Sequence, residues 1–173
     1  MLTRRAFSLG GLVAFSQFGR LPLPDVKYVP TPQNVVDAML VIARVTSADI
    51  VYDLGSGDGR IPISAAVQYR ARGVGIEIDD FHLREAVDNV RKAGVGDRVR
   101  FIHADFFTVD ISEATVVAVF LLPRVLLRLL PKFKRELRPG TRIVSHQYHF
   151  GDEWPAEQAQ DVGGLTIYCW MMG

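Results

Sequence analysis

Apolar residues recur at two spacings along the chain, and the alternation between them predicts an α/β protein. Val35, Val36, Met39, Leu40 and Ala43 fall on one helical face, which predicts a helix ending before Thr46-Ser47-Ala48-Asp49. Thr31 is placed to cap it, with Pro32 in its first turn. Ile50 to Leu54 and Gly73 to Ile78 are short apolar runs bounded by polar or turn residues and read as buried strands. Between them, Ile61 to Tyr69 carries Pro62 where a first turn tolerates it and alanines where a helix can lie close to a sheet. Asp79 and Asp80 are suited to cap a helix whose Leu83, Ala86, Val87 and Val90 repeat at helical spacing, and Gly94 suits its end.

Farther on, Val99 to His103, Thr115 to Leu122, Arg142 to Tyr148 and Leu165 to Met171 read as strands, with a basic helix from about Arg124 to Leu137. Strands and helices in this order predict a doubly wound, Rossmann-like, mostly parallel sheet in a single domain. Ligands on such sheets bind beyond the strand C-termini, where the strand order reverses.

The folded domain is expected over residues 28–173. Arg20 to Pro32 holds four prolines and reads as an extended linker. Before it, Thr3-Arg4-Arg5-Ala6-Phe7-Ser8-Leu9 and the mild apolar run that follows resemble a twin-arginine export signal. Residues 1–27 are therefore expected to be a signal-like or anchoring segment with its linker, a plain flexible extension being the alternative. Cytoplasmic and membrane-associated locations both stay open.

Composition narrows the function classes without choosing one. Apolar residues make up 49% and charged ones 23%, as in an ordinary folded domain. A net charge of +1 supplies no global attraction to polyanions, so no nucleic-acid partner is expected. Cys169, the single cysteine, can make neither an internal disulfide nor a cysteine-based metal site, and no metal is expected.

The chemistry begins at Asp53-Leu54-Gly55-Ser56-Gly57-Asp58-Gly59-Arg60, three glycines at alternate positions between a strand and a helix. Open amide groups at a helix start suit an anion. A dinucleotide fingerprint would place its last glycine later, where Arg60 stands. Eighteen residues beyond Gly59, Glu77 ends the second strand, where a carboxylate can accept both hydroxyls of a ribose. Asp53 is placed to meet an ammonium, and Asp105, just past the third strand, to accept from an adenine amino group. An adenosine ligand carrying both a carboxylate and an ammonium is S-adenosylmethionine (SAM).

With these residues and the leading Tyr28-Val29-Pro30-Thr31-Pro32, the chain resembles the class I protein-lysine methyltransferases of the ATP synthase c-subunit and adenine nucleotide translocase type and their prokaryotic relatives. The resemblance runs from about Tyr28 to Trp154. It implies a seven-stranded sheet, SAM bound by the loop with Asp53, Gly55, Ser56, Gly57 and Gly59 and by Glu77, and a segment with Tyr28 and Thr31 folded over the cofactor; Asp105 is a cofactor candidate from its position alone, a plain turn residue being the alternative. It also implies a protein substrate, with a membrane protein as the candidate. At the end of the fourth strand, where many nitrogen methyltransferases carry Asp or Asn before Pro-Pro and an aromatic residue, this chain has Phe120-Leu121-Leu122-Pro123. Pro123 and His146 are the candidate catalytic residues on that side, and a lysine would need an apolar channel to enter as the neutral amine.

Strand alternation would put His146 and Tyr148 on one side and His149 on the other. Arg124, Arg128, Lys132, Lys134, Arg135, Arg138 and Arg142 face only Glu136 in charge, so the 124–142 segment is a candidate for contact with an anionic membrane; a solvated helix face is the alternative. Two further functions stay open: a small-molecule methyltransferase, and an exported or membrane-anchored SAM-fold protein that binds without turnover.

Overall fold

The computed structural model describes residues 28–173, so the twin-arginine-like segment lies outside the described residues. Seven strands form one sheet: β1 Ile50–Leu54, β2 Arg72–Glu77, β3 Val99–His103, β4 Val116–Val119, β5 Arg142–His146, β6 Gln158–Val162 and β7 Leu165–Met171. Their order is β3-β2-β1-β4-β5-β7-β6, with β1 to β5 parallel and β7 antiparallel to both of its neighbours. The order reverses between β1 and β4, and ligand crevices of doubly wound sheets form beyond the strand ends at such a point.

Helices cover both faces: α1 Gln33–Ile42, α2 Arg60–Tyr69, α3 Asp80–Ala93 and α4 Pro123–Glu136. On one face Val35, Val36, Met39 and Leu40 of α1 and Ile61 and Ala65 of α2 pack on Val51, Val116, Ala118, Val144 and Ile167. On the other, Leu126, Leu129 and Phe133 of α4 pack on Tyr52, Leu54, Val117, Val119, Ile143 and Trp170. The odd and even residues of each central strand thus go to opposite layers, as strand geometry requires. Among the described residues no helix is long and apolar enough to cross a membrane.

Three readings of the pattern change. Thr31 does not cap α1: Pro32 holds the N-cap position without a side-chain bond, and Thr31 is buried. The fourth and fifth strands are shorter than the apolar runs suggest. Gln147 adopts a left-handed backbone with φ of 69°, which ends β5 at His146, so strand alternation does not govern Tyr148 and His149. The seventh strand, β6, is Gln-Ala-Gln-Asp-Val, nearly all exposed, and its apolar alternation is too weak to announce a strand. Its partner specifies it: Gly163 and Gly164, both at positive φ, turn the chain tightly back from β7.

Candidate active site

A cavity of about 630 Å³ opens beyond the C-terminal ends of the parallel strands, within the usual size for a small-molecule site. Tyr28, Thr31, Asp53, Gly55, Ser56, Glu77 and Asp105 line it, together with Asp58, Arg60 and Asp79. Gly57, Gly59, Pro123 and His146 do not.

The glycine loop is held by its own amides. The N–H groups of Gly55 and Ser56 donate to the Ile76 carbonyl at 2.9 and 3.0 Å, and that of Gly59 to the Ser56 carbonyl at 2.9 Å. Gly57 donates to Glu77 Oε2 at 2.7 Å. The amides of these four residues are therefore engaged within the protein, which corrects the expectation that they stand open for an anion. Two of the glycines instead make room. A Cβ on Gly57 would lie 2.1 Å from the Tyr28 ring, and one on Gly59 would meet the Phe101 ring at 2.5 Å and Ala86 of α3 at 3.1 Å. Both have φ values in the left-handed region.

Glu77 is a buried organiser. Its Oε1 accepts from the amides of Ile78 and Asp79 at 2.8 and 2.9 Å, and its Oε2 from Gly57. A carboxylate offers about four acceptor positions, so room for an outside hydroxyl remains. Asp79 then starts α3, its side chain accepting from Phe81 and His82 as expected. Asp105 takes the amide of Phe107 at 2.9 Å, so it closes a turn and faces the cavity at once.

Asp53 is different. It is 3% exposed, and no protein donor reaches its carboxylate among the described residues. Burial, then the nearby charges of Glu77 and Asp58, push its pKa up to about 8. A buried carboxylate next to two others needs a cation, and an α-ammonium supplies one.

The segment before α1 covers this end. Tyr28 seats on Gly57, with its ring 4.0 Å from that of His82. Arg60 grips Asp58 through Nε at 3.0 Å and Nη2 at 2.6 Å, and its Nη1 donates to the Thr31 carbonyl at 2.8 Å. Burial works against an ionised Asp58, but Arg60 more than offsets it and holds the carboxyl below its ordinary value. Asp58, Arg60 and His82 did not stand out as site residues in the sequence; the one signal was Arg60 in place of a fingerprint glycine.

If Tyr28 must seat on Gly57, Gly57→Ala should weaken binding of S-adenosylhomocysteine by roughly tenfold or more, from the ring clash and an αL penalty of about 1–2 kcal/mol. Calorimetric titration should show Gly57→Ala costing less affinity in the Tyr28→Ala background than in the wild type, since the clash then disappears and only the αL penalty stays. Additive losses would reject this seating.

The far end of the cavity is apolar, with Phe106, Phe107, Phe120, Leu121 and Val125 on its wall. The guanidinium of Arg128 lies 4.3 Å over the Phe107 ring. Pro123 is the first residue of α4, two residues before Val125, which lines the wall. His146 lies behind Phe120, their rings 4.0 Å apart. Among the described residues no group of His, Cys, Asp and Glu could hold a metal ion.

The ANTKMT methyltransferase domain family matches residues 53–158, more than half of the chain. The chain belongs to that family. It is 48% identical to a protein-lysine N-methyltransferase of Saccharolobus islandicus, over 87% of this chain and 96% of that protein. It is 32% identical to the adenine nucleotide translocase lysine N-methyltransferase of Mus musculus over 82% of this chain, and spans 62% of that longer protein. A crystal structure described as an RNA methyltransferase from Salinibacter ruber with S-adenosylhomocysteine superposes with a TM-score of 0.82 at 50% identity, covering 83% of this chain and 94% of that one. The chain is a SAM-dependent methyltransferase with the class I fold, and the cavity fits that cofactor in volume and in lining, with two buried carboxylates, one of which receives no donor from the described residues.

Proposed function

We propose that the enzyme methylates the ε-amine of a lysine in a protein substrate. The carrying observation is the apolar wall of Phe106, Phe107, Phe120, Leu121 and Val125, into which the end of β4 brings no side-chain acceptor. Such a wall disfavours an ammonium and selects the neutral amine. The cofactor supplies a sulfonium methyl, and transfer to an amine is an in-line displacement that needs mainly near-attack positioning. Asp53 would hold the ammonium of the cofactor, Glu77 its ribose and Asp105 its adenine, with Tyr28 and Thr31 closing over them. Arg60, the cation on that side of the cavity, suits its carboxylate. Gly55 and Ser56 form the floor, and Gly57 and Gly59 act through the packing they permit. The 48% identity to a protein-lysine methyltransferase supports this reading.

The name of the Mus musculus relative points to a membrane-protein substrate, and α4 fits one. Arg124, Leu127, Pro131 and Lys134 lie exposed along one side of the helix, Arg138 is exposed just past its end, and Leu127 is 42% exposed. Two buried or half-buried cations of the segment serve the fold. Buried Lys132 donates to Glu136 at 2.7 Å and to the Val109 carbonyl at 2.6 Å, and Arg142 binds Asp49 at 2.8 Å. A stripe of cations with one apolar residue suits an anionic bilayer surface.

Incubation with methyl-labelled SAM and separate membrane-protein, soluble-protein, RNA and small-molecule fractions should put label on lysine, identified by mass spectrometry, in the membrane-protein fraction. Lys134→Glu/Arg138→Glu should slow labelling of bilayer-embedded substrate and leave a soluble lysine peptide unaffected. Label confined to RNA or to small molecules would overturn the proposal, and S-adenosylhomocysteine binding without turnover on any fraction would favour a non-catalytic protein.

A further inference from the structure

His146 is buried at 3% exposure and is not part of the cavity wall, yet it touches two residues that are. Its Nδ1 lies 3.2 Å from Thr31 Oγ1, a bond across 115 residues of sequence. Its ring lies against that of Phe120, with centroids 4.0 Å apart and planes tilted by 37°. Thr31 belongs to the segment that covers the cofactor end, and Phe120 to the wall at the acceptor end. Nothing else polar holds the ring: Nε2 is buried with no partner among the described residues. Burial lowers the pKa of the imidazole, so near neutral pH it is an uncharged ring, suited to stacking.

Thr31 is itself fixed from two sides, its carbonyl by Arg60 and its hydroxyl by His146. Seating of the covering segment therefore fixes one edge of the imidazole, and the imidazole face fixes Phe120. Phe120 also lies 6.0 Å from the nearly parallel ring of Tyr148, so its ring is packed on a second side.

We infer that His146 is a positioning residue that couples closure of the 28–32 segment over the cofactor to the placement of Phe120 at the acceptor end. The inference rests on the reading that the Phe120 wall receives the acceptor amine. Its consequence is thermodynamic: if each ligand favours the same arrangement of this contact chain, each tightens the other by the same factor. In this arrangement His146 touches neither ligand.

The test compares wild type, Thr31→Val, His146→Phe and the double variant. Thr31→Val keeps shape and loses the hydroxyl; His146→Phe keeps a ring against Phe120 and loses the bond. S-adenosylhomocysteine affinity is measured with and without a saturating lysine peptide that the wild type methylates. In the wild type the peptide should tighten S-adenosylhomocysteine roughly fivefold or more, within the ordinary range for coupled sites. Thr31→Val and His146→Phe should each remove most of that factor and weaken S-adenosylhomocysteine alone by roughly two- to tenfold, the scale of one hydrogen bond. The double variant should be no weaker than either single one.

Coupling retained in Thr31→Val would overturn the inference. So would a loss of kcat beyond a hundredfold in His146→Phe with coupling intact, since that would mark direct catalysis. Should His146→Phe fail to fold, Thr31→Val alone decides. If no lysine peptide is methylated, the lysine reading is what fails; the Thr31 and His146 cycle on S-adenosylhomocysteine affinity still reads, and additive losses there would reject the coupling.

Discussion

Asp53→Asn is expected to make the ligand-free protein more heat-stable while crippling cofactor binding. In the folded free protein burial, Glu77 and Asp58 hold the Asp53 carboxyl up to about 8, against an ordinary value of 3.8. The folded state therefore keeps a proton between those pH values that the unfolded chain gives up. By linkage, this group's contribution to stability is fully present below about pH 4 and is lost progressively as pH rises toward 8. Each pKa unit corresponds to about 1.4 kcal/mol, so the loss matters in a domain whose net stability is of the order of 10 kcal/mol. Asparagine has nothing to ionise. The melting temperature of Asp53→Asn minus that of wild type should grow from pH 4 to pH 8, at roughly 2–4 °C per kcal/mol for a chain of this size.

Cofactor binding should move the other way. An α-ammonium beside Asp53 favours the carboxylate, so below pH 8 binding expels a proton and affinity rises with pH. At higher pH the α-amino group of the ligand itself loses its charge, which ends the rise. The affinity of wild type for S-adenosylhomocysteine should therefore rise up to about pH 8, and this acid limb should flatten in Asp53→Asn. Removing one partner of a buried charge pair costs about 2–5 kcal/mol, so affinity should fall roughly 30-fold or more. Differential scanning fluorimetry and calorimetry across pH check both halves. A melting temperature that falls at pH 8, or an unchanged affinity, would refute the role given to Asp53.

What the sequence disclosed about this site was local. Gly55 to Gly59 sit between a strand and a helix, Glu77 ends β2, Asp105 follows β3 and Asp79 caps α3; each position follows from spacing to the nearest strand end, and the fold puts those ends side by side. The rest depended on which distant element folds back. Thr31 has the chemistry of an N-cap, and only the approach of β5 turns its hydroxyl to His146 instead. Asp58 and Arg60 flank Gly59 at the start of α2, and the bond from Arg60 to the Thr31 carbonyl requires the covering segment in place. The phenylalanines of the acceptor wall come from the ends of two strands, and in the sequence they look like core residues. For the glycine loop, spacing located the turn and could not tell an amide facing a ligand from one donating to Ile76.

Glu77→Gln should act on the same cavity with the opposite sign on stability. Glu77 lies with Asp53 on that wall, but where Asp53 lacks donors among the described residues Glu77 accepts three backbone amides, from Gly57, Ile78 and Asp79. Glutamine has one oxygen. If that oxygen keeps Ile78 and Asp79, the amide nitrogen is turned toward the Gly57 N–H, donor against donor. If it turns to Gly57, the start of α3 loses its bonds. A buried donor left unsatisfied costs about 1–3 kcal/mol, so the melting temperature should drop by several degrees, at roughly 2–4 °C per kcal/mol. The loop movement also reaches the cofactor, because Gly57 carries the Tyr28 ring. S-adenosylhomocysteine affinity should therefore fall more than tenfold, and the loss should exceed what a missing ribose contact explains. Adenosine, which has the ribose but no amino-acid tail, separates the two contributions. If Glu77 served only the ribose, adenosine and S-adenosylhomocysteine would weaken by the same factor and the melting temperature would hold. The loop-holding role instead requires a lower melting temperature and a larger loss for the ligand whose tail reaches the glycine loop.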